Sequence, residues 1–134
     1  MLTVSVKATY WNLKAVDAAF RVGFEDAGKM FKSALVKGLT SGSRSGRTYL
    51  FRGRRHTASA AGEMPASRTG KLAGSVGYKT SRMRVEFGET AFYGKYLEDG
   101  TPNMAARPHV RIIGEQKAAE GLKRVGDRVY GAIK

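Results

Sequence analysis

The groups in this chain that could do chemistry are few, and their spacing does not assemble a reaction centre. There is no cysteine among the 134 residues, which removes disulfides, thiol nucleophiles and thiolate metal sites together. The two histidines, His56 and His109, lie far apart. A metal site built on both would need Glu63 or Glu98 to converge with them, and no ligand spacing suggests it. Ser59 and Ser75 lack the strand–turn–helix setting of a nucleophile elbow. Glu98 and Asp99 are adjacent, which does not by itself make an acid–base pair. Gly42-Ser-Arg-Ser-Gly46 is glycine-rich, but no strand with a lysine-bearing phosphate loop surrounds it. The sequence therefore predicts a protein that is not an enzyme and holds no cofactor or metal.

A different chemistry fits the polar residues better. Two dense blocks, Arg55 to Leu72 and Phe92 to Pro108, are rich in glycine, proline and small residues at fixed places. Such spacing calls for specific backbone turns. A carboxylate beside a turn can accept backbone N–H groups, and an arginine can fork onto a carboxylate. Glu63, Glu98, Arg68 and Arg107 are the candidates for these roles, and the Thr101 hydroxyl can hold a turn.

The formal net charge of +13 attracts polyanions or acidic protein surfaces. It is unevenly spread. No acidic residue lies between Asp26 and Glu63, while Lys29, Lys32, Lys37, Arg44, Arg47, Arg52, Arg54 and Arg55 fall in that interval. The basic segment reads either as a partner surface or as a solvated face. Hydrophobic content of 42% with a mean hydropathy of −0.36 suits a chain that buries a core. No apolar run approaches the roughly 20 residues of a membrane span, and no signal peptide is expected from the first residues. The length suits one domain, 1–134.

The elements that must position these residues follow from periodicity. Leu2, Val4, Val6 and Ala8 alternate with polar residues, as in a half-buried strand. Asn12 can cap a helix whose apolar stripe runs Leu13, Val16, Phe20, Phe24, Ala27, Phe31, Leu35, with Gly38 as its expected stop. From Leu39 to Arg68 no period emerges, so an extended basic loop is expected there. Tyr49-Leu50-Phe51 in its middle want burial, either against the core or on a neighbouring subunit. Thr69 caps an expected short helix or turn. Val76, Tyr78, Met83, Val85 and Phe87 predict a β-hairpin turning near Thr80-Ser81. Ala91 to Leu97 suggest a short helix stopped at Asp99-Gly100. Pro108 opens a last helix with Val110, Ile113, Ala118, Leu122, Val125, Val129 and Ile133 on its apolar face. Its four glycines point to close packing or to a marginal helix. Two helices packed on a small antiparallel sheet, an α+β fold, is the economical arrangement.

The two blocks also carry a resemblance. Ala58-Ser-Ala-x-Gly-Glu-x-Pro-Ala-x-x-Thr-Gly-x-Leu-x-x-Ser-Val76 and Tyr93-x-x-Tyr-Leu-Glu-x-Gly-Thr, followed by Met104-x-Ala-Arg-Pro108, resemble the signature of the phage neck or tail-completion proteins. These are the head–tail joining or minor tail components of long-tailed, non-contractile phages. Gly46-Arg-x-Tyr49 fits the same pattern. Asp99 and His109 depart from it: a bulky residue is usual at the first position and a large apolar residue at the second. The resemblance implies a structural virion protein, made in the host cytoplasm and located in the neck or tail. It implies a homo-oligomeric ring, six-fold like the tail tube, around the channel for genomic DNA. Partners would be the head connector on one side and the tail terminator or tail tube protein on the other, with no membrane. On this reading Tyr49, Phe51, Arg52, Arg54, Arg55, Glu63, Glu98 and Arg107 belong to the subunit or ring interface. The alternatives are a tail terminator ring, or a free nucleic-acid-binding protein that sets the Arg44–Arg55 segment on phosphates with Tyr49 and Phe51 stacked on bases.

Overall fold

The computed structural model describes residues 2–5, 13–41, 44–65, 70–81 and 83–133. In chain order the elements are β1 (Leu2–Ser5), α1 (Leu13–Ser41), β2 (Thr48–Phe51), β3 (Arg54–Thr57), α2 (Lys71–Gly74), β4 (Val76–Ser81), β5 (Arg84–Glu89), α3 (Gly94–Asp99) and α4 (Val110–Ile133). The fold is α+β: long helices packed on a small antiparallel sheet of order β1-β5-β4, with β2 and β3 forming a separate hairpin. The expected cap residues Asn12 and Thr69, the strand residues Val6 and Ala8, and Arg68 lie outside the described residues.

The period of α1 dictates the core. Val16, Phe20, Phe24, Ala27, Phe31 and Leu35 are all buried, because steps of three and four keep them on one face. The stripe continues through Leu39, also buried, so Gly38 does not end the helix as expected. Gly38 instead leaves room for a neighbour: a Cβ there would lie 2.6 Å from the Met64 methyl carbon. At the true end, the Thr40 and Ser41 hydroxyls donate back to the Val36 and Lys37 carbonyls. Arg44 Nη2 donates to the Thr40 carbonyl, which has no partner within the helix.

Period-two alternation puts Val85 and Phe87 of β5 on the core face, both fully buried. Phe87 stacks on Phe31 at 4.5 Å between ring centroids, joining sheet to helix. Burying a side chain of this size contributes about 1.5–3 kcal/mol. On the neighbouring strand the Tyr78 ring lies over Gly28, where a Cβ would lie 2.3 Å from the nearest ring carbon. The Tyr78 hydroxyl donates to Glu25 at 2.9 Å.

α4 runs antiparallel to α1, with Gly23 against Val125, Phe31 against Gly121 and Gly38 near Ile113. Of the four glycines of α4, Gly114 and Gly121 are sites of close approach, to Leu2 and Phe31, while Gly126 and Gly131 face open space. The expected apolar face is only partly correct. Val110, Ile113 and Val125 are buried, but Leu122 and Ile133 are 47% and 61% exposed. Four-residue steps advance more than one turn each, so Leu122 and Ile133 drift away from the line that Gly114 and Gly121 define, while Val129 stays half-buried against the core.

Candidate functional site

The segment expected to be an extended loop from Leu39 to Arg68 contains regular structure among its described residues. Leu39 to Ser41 complete α1, and β2 and β3 pair antiparallel with Tyr49 opposite His56, Leu50 opposite Arg55 and Phe51 opposite Arg54. The turn between them is Arg52-Gly53, with φ of 50° and 74°. Two consecutive positive φ values match the twist of a two-residue hairpin turn. Tyr49-Leu50-Phe51 therefore do not fold back as one unit onto the core. Tyr49 makes an edge-on contact with the His56 ring at 5.4 Å, and Arg52 sits over the Phe51 ring at 5.3 Å. Leu50 points the other way and is 73% exposed. Arg47, Arg52, Arg54 and Arg55 are all exposed. The hairpin is an arm with a basic tip.

Glu63 clasps the base of this arm. Its carboxylate accepts the Ala60 amide at 2.8 Å, the Ser45 amide at 3.1 Å and the Ser45 hydroxyl. The Ser45 hydroxyl and then the Ala60 and Ser45 amides hold its carboxyl below the ordinary carboxylate value, because each bond favours the charged form. The Gly46 amide donates to the Ala58 carbonyl and the Ala58 amide to the Arg47 carbonyl, which close the arm above Glu63. The arm's return strand is then tied to the second block. The Gly62 amide donates to the Ala106 carbonyl at 3.1 Å, and Arg107 Nη2 donates to the Ser59 carbonyl at 3.3 Å.

The second block centres on Glu98. Its carboxylate accepts the amides of His109, Val110 and Arg111 at 2.8, 3.1 and 3.0 Å. These amides begin α4, so a residue eleven positions upstream caps the helix where the helix dipole favours negative charge. Burial opposes ionisation of Glu98, but the His109 and Arg111 amides, the His109 ring and the Val110 amide outweigh it and lower its pKa. Gly100 makes the reversal after α3 possible with φ of 78°. Thr101 pairs with Met104 through backbone amides and carbonyls rather than through its hydroxyl.

His109 is fully buried between two carboxylates. Nδ1 lies 3.0 Å from Glu98 Oε2 and 3.0 Å from the Arg107 carbonyl. Nε2 lies 3.0 Å from Glu89 Oε1, close enough for an ion pair but not aligned as a hydrogen bond. Burial disfavours charge on the ring, yet Glu89, the Arg107 carbonyl and Glu98 prevail and raise its pKa. Glu89 is only 7% exposed, and its Oε2 is buried without a hydrogen-bond partner. Gly94 gives it space, since a Cβ there would lie 2.3 Å from Glu89 Oε1. The sequence offered a signal for Glu89: Val85, Phe87 and Glu89 share one strand face.

The structure thus brings Glu98 and Arg107 together with Glu89 and His109, and sets Glu63 at the base of the arm. Tyr49, Phe51, Arg52, Arg54 and Arg55 lie along the arm itself. Among the described residues no group of three or more His, Asp or Glu side chains could hold a metal ion, and no helix is long and apolar enough to cross a membrane.

The model of a family described as "Bacteriophage HK97-gp10, putative tail-component" matches residues 13–100, more than half of the chain. The match takes in α1, the arm, the sheet hairpin and α3. No curated protein and no solved structure matches significantly.

Proposed function

The chain belongs to the HK97-gp10-like family of phage tail components, and within that role we propose that it forms the neck ring that completes the tail and joins it to the head. It is a structural virion protein and not an enzyme. Copies of the chain close head-to-tail into a ring, six-fold like the tube, around the channel through which genomic DNA passes. The head connector lies on one side, and the tail terminator or tube protein on the other.

The observation that supports this reading best is the arm. It is clasped at its base by Glu63, tied to the core by Arg107, and left basic at its tip. A heterologous contact of this kind, repeated around an axis, generates a ring. The arginines serve protein contacts, where forked pairs with carboxylates also fix register. A channel lined densely with arginine would grip phosphates and slow ejection.

Reversing the charge of Arg52, Arg54 and Arg55 together tests this. The expected outcome is a folded monomer, since exposed charges contribute little to stability, with heads and tails that accumulate separately. Complete particles with an altered ejection rate would place these arginines at the DNA instead. Imaging of the virion then distinguishes a neck ring from the adjacent tail terminator ring. The exposed arginines of the arm also favour a second reading, a free nucleic-acid-binding protein. That reading requires the isolated chain to hold DNA with a steep salt dependence.

A further inference from the structure

The arm has two faces, and its ring contacts gather on one of them. Tyr49, His56, Phe51 and Arg54 share one face by strand pairing. Thr48, Leu50, Arg55 and Thr57 share the other, where the Thr48 and Thr57 hydroxyls meet at 2.9 Å. On that second face Leu50 is 73% exposed, and Arg55, also exposed, makes no ion pair among the described residues. An apolar side chain thus stands beside an uncommitted guanidinium.

A cleft of about 410 Å³ elsewhere on the molecule has the matching composition. Leu2, Ala91 and Val110 supply apolar wall, and Glu89, Glu98 and Asp99 supply carboxylates. Glu98 is committed to the start of α4. Glu89 is not satisfied: one oxygen faces His109, and the other is buried with no donor. That second oxygen is closed off from solvent, so Glu89 acts on a cation in the cleft through its charge rather than through a hydrogen bond. Asp99, exposed and without an ion pair among the described residues, stands at the same cleft. Lys95 and Arg111 also line it, and His109 lies behind it. An incoming cation is therefore held by the placement of Glu89 and Asp99, not by a net negative field.

We propose that this cleft receives the Leu50/Arg55 face of the arm from a second copy of the chain, with Arg55 donating to the exposed Asp99, near the Glu89 charge, and Leu50 against the apolar wall. The contact is head-to-tail, since the arm and the cleft are different surfaces, and it rests on the ring reading above. It gives the basic arm a specific acceptor in Asp99.

The absence of cysteine makes the test clean, because only introduced thiols react. A Thr48→Cys copy is mixed with a Lys95→Cys copy and a short bis-maleimide, over rising concentration and in assembled tails. Neither substitution removes Leu50, Arg55, Glu89 or Asp99. The expected result is a crosslinked pair from the mixture and none from either variant alone. Adding Arg55→Glu to the first copy should lower the yield by about tenfold through like-charge repulsion. Adding Asp99→Arg to the second copy should then restore it. Oligomers that form without this crosslink, or whose crosslink ignores Arg55→Glu, overturn the cleft assignment and leave the ring standing. A crosslink that requires DNA overturns it in favour of a nucleic acid occupant. A chain that stays monomeric in solution and is absent as a ring from assembled tails overturns both readings.

Discussion

Glu98 and Glu63 each hold a chain reversal by gathering backbone amides on one carboxylate, but they do so in different surroundings. Glu98 collects three amides at the start of α4 and is 21% exposed, with His109 and Glu89 behind it. Glu63 collects two amides and a hydroxyl at the base of a projecting hairpin, near solvent. The first carboxylate is continuous with the core, because α4 packs along α1 and its first turn is buried at Val110 and Ile113. The second holds an element that pairs mainly with itself. The same bonding pattern therefore yields a global support in one place and a local clasp in the other.

The largest effect should come from Glu98→Ala. It leaves the first amides of α4 without an acceptor and His109 with one carboxylate fewer. Hydrogen bonds to a charged, mostly buried group of this kind sum to about 3 kcal/mol of stability. A denaturant titration would read the loss, and Glu98→Gln, which keeps an acceptor oxygen, should lose less. An unchanged midpoint for Glu98→Ala would remove the distinction between support and clasp.

Next in size is a pair of glycines that differ in the same way. Gly100 and Gly53 both have positive φ, 78° and 74°. A Cβ at Gly100 would also lie 2.8 Å from the Ala106 nitrogen, whereas nothing lies near one at Gly53. Gly100→Ala adds a backbone collision to conformational strain and should cost about 2–3 kcal/mol. Gly53→Ala carries strain alone, about 1 kcal/mol. Equal losses in thermal melts would mean that the two turns are equally tolerant.

The two sites should also separate in pH. Glu98 and Glu63 both have folded-state pKa values below the ordinary 4.5. Their contributions are present above that value and fade as pH falls through the depressed folded values. His109 behaves in the opposite sense. Its folded pKa is raised above 6.5, so its contribution is complete below 6.5 and is lost as pH rises through the raised value. Acid should loosen both regions, and alkali only the start of α4. Amide exchange in α4 and at residues 45–60 across the pH range would show this. His109→Gln should abolish the alkaline limb, and its persistence would assign the limb to another group.

How much of this was legible in the sequence depended on where each element buries its side chains. The stripe of α1 and the alternation of β4 and β5 were readable, since both bury one face in a shared core. The arm was not, because it packs on itself and its exposed arginines break any apolar alternation. Its one local clue was the two-residue step Arg52-Gly53 between four-residue strands. The role of Glu98 as a carboxylate at a turn could be anticipated from residue type. Its target could not, because the helix it caps begins eleven residues later. The pairing of His109 with Glu89 was hidden for a related reason: it joins a strand end to a helix start, and no periodicity links the two.

The smallest global effect should follow Glu63→Ala, and its shape matters more than its size. The Ser45 and Ala60 amides lose their common acceptor, so the base of the arm opens while the core stays intact. The Gly46–Ala58 and Arg47–Ala58 backbone bonds still hold part of the base, so the hairpin should fray rather than unfold. Thermal melts should therefore scarcely change. Trypsin should discriminate, since Arg44, Arg47, Arg52, Arg54 and Arg55 lie in this segment and cleavage follows the population of opened chain. The variant should be cut faster than the parent in the isolated chain. If the arm lies against a neighbouring copy in the virion, that difference should vanish there, because the neighbour holds what Glu63 held. Equal protection of parent and variant in the isolated chain would show that the clasp is dispensable. Faster cutting that persists in the virion would show that the arm stays free after assembly.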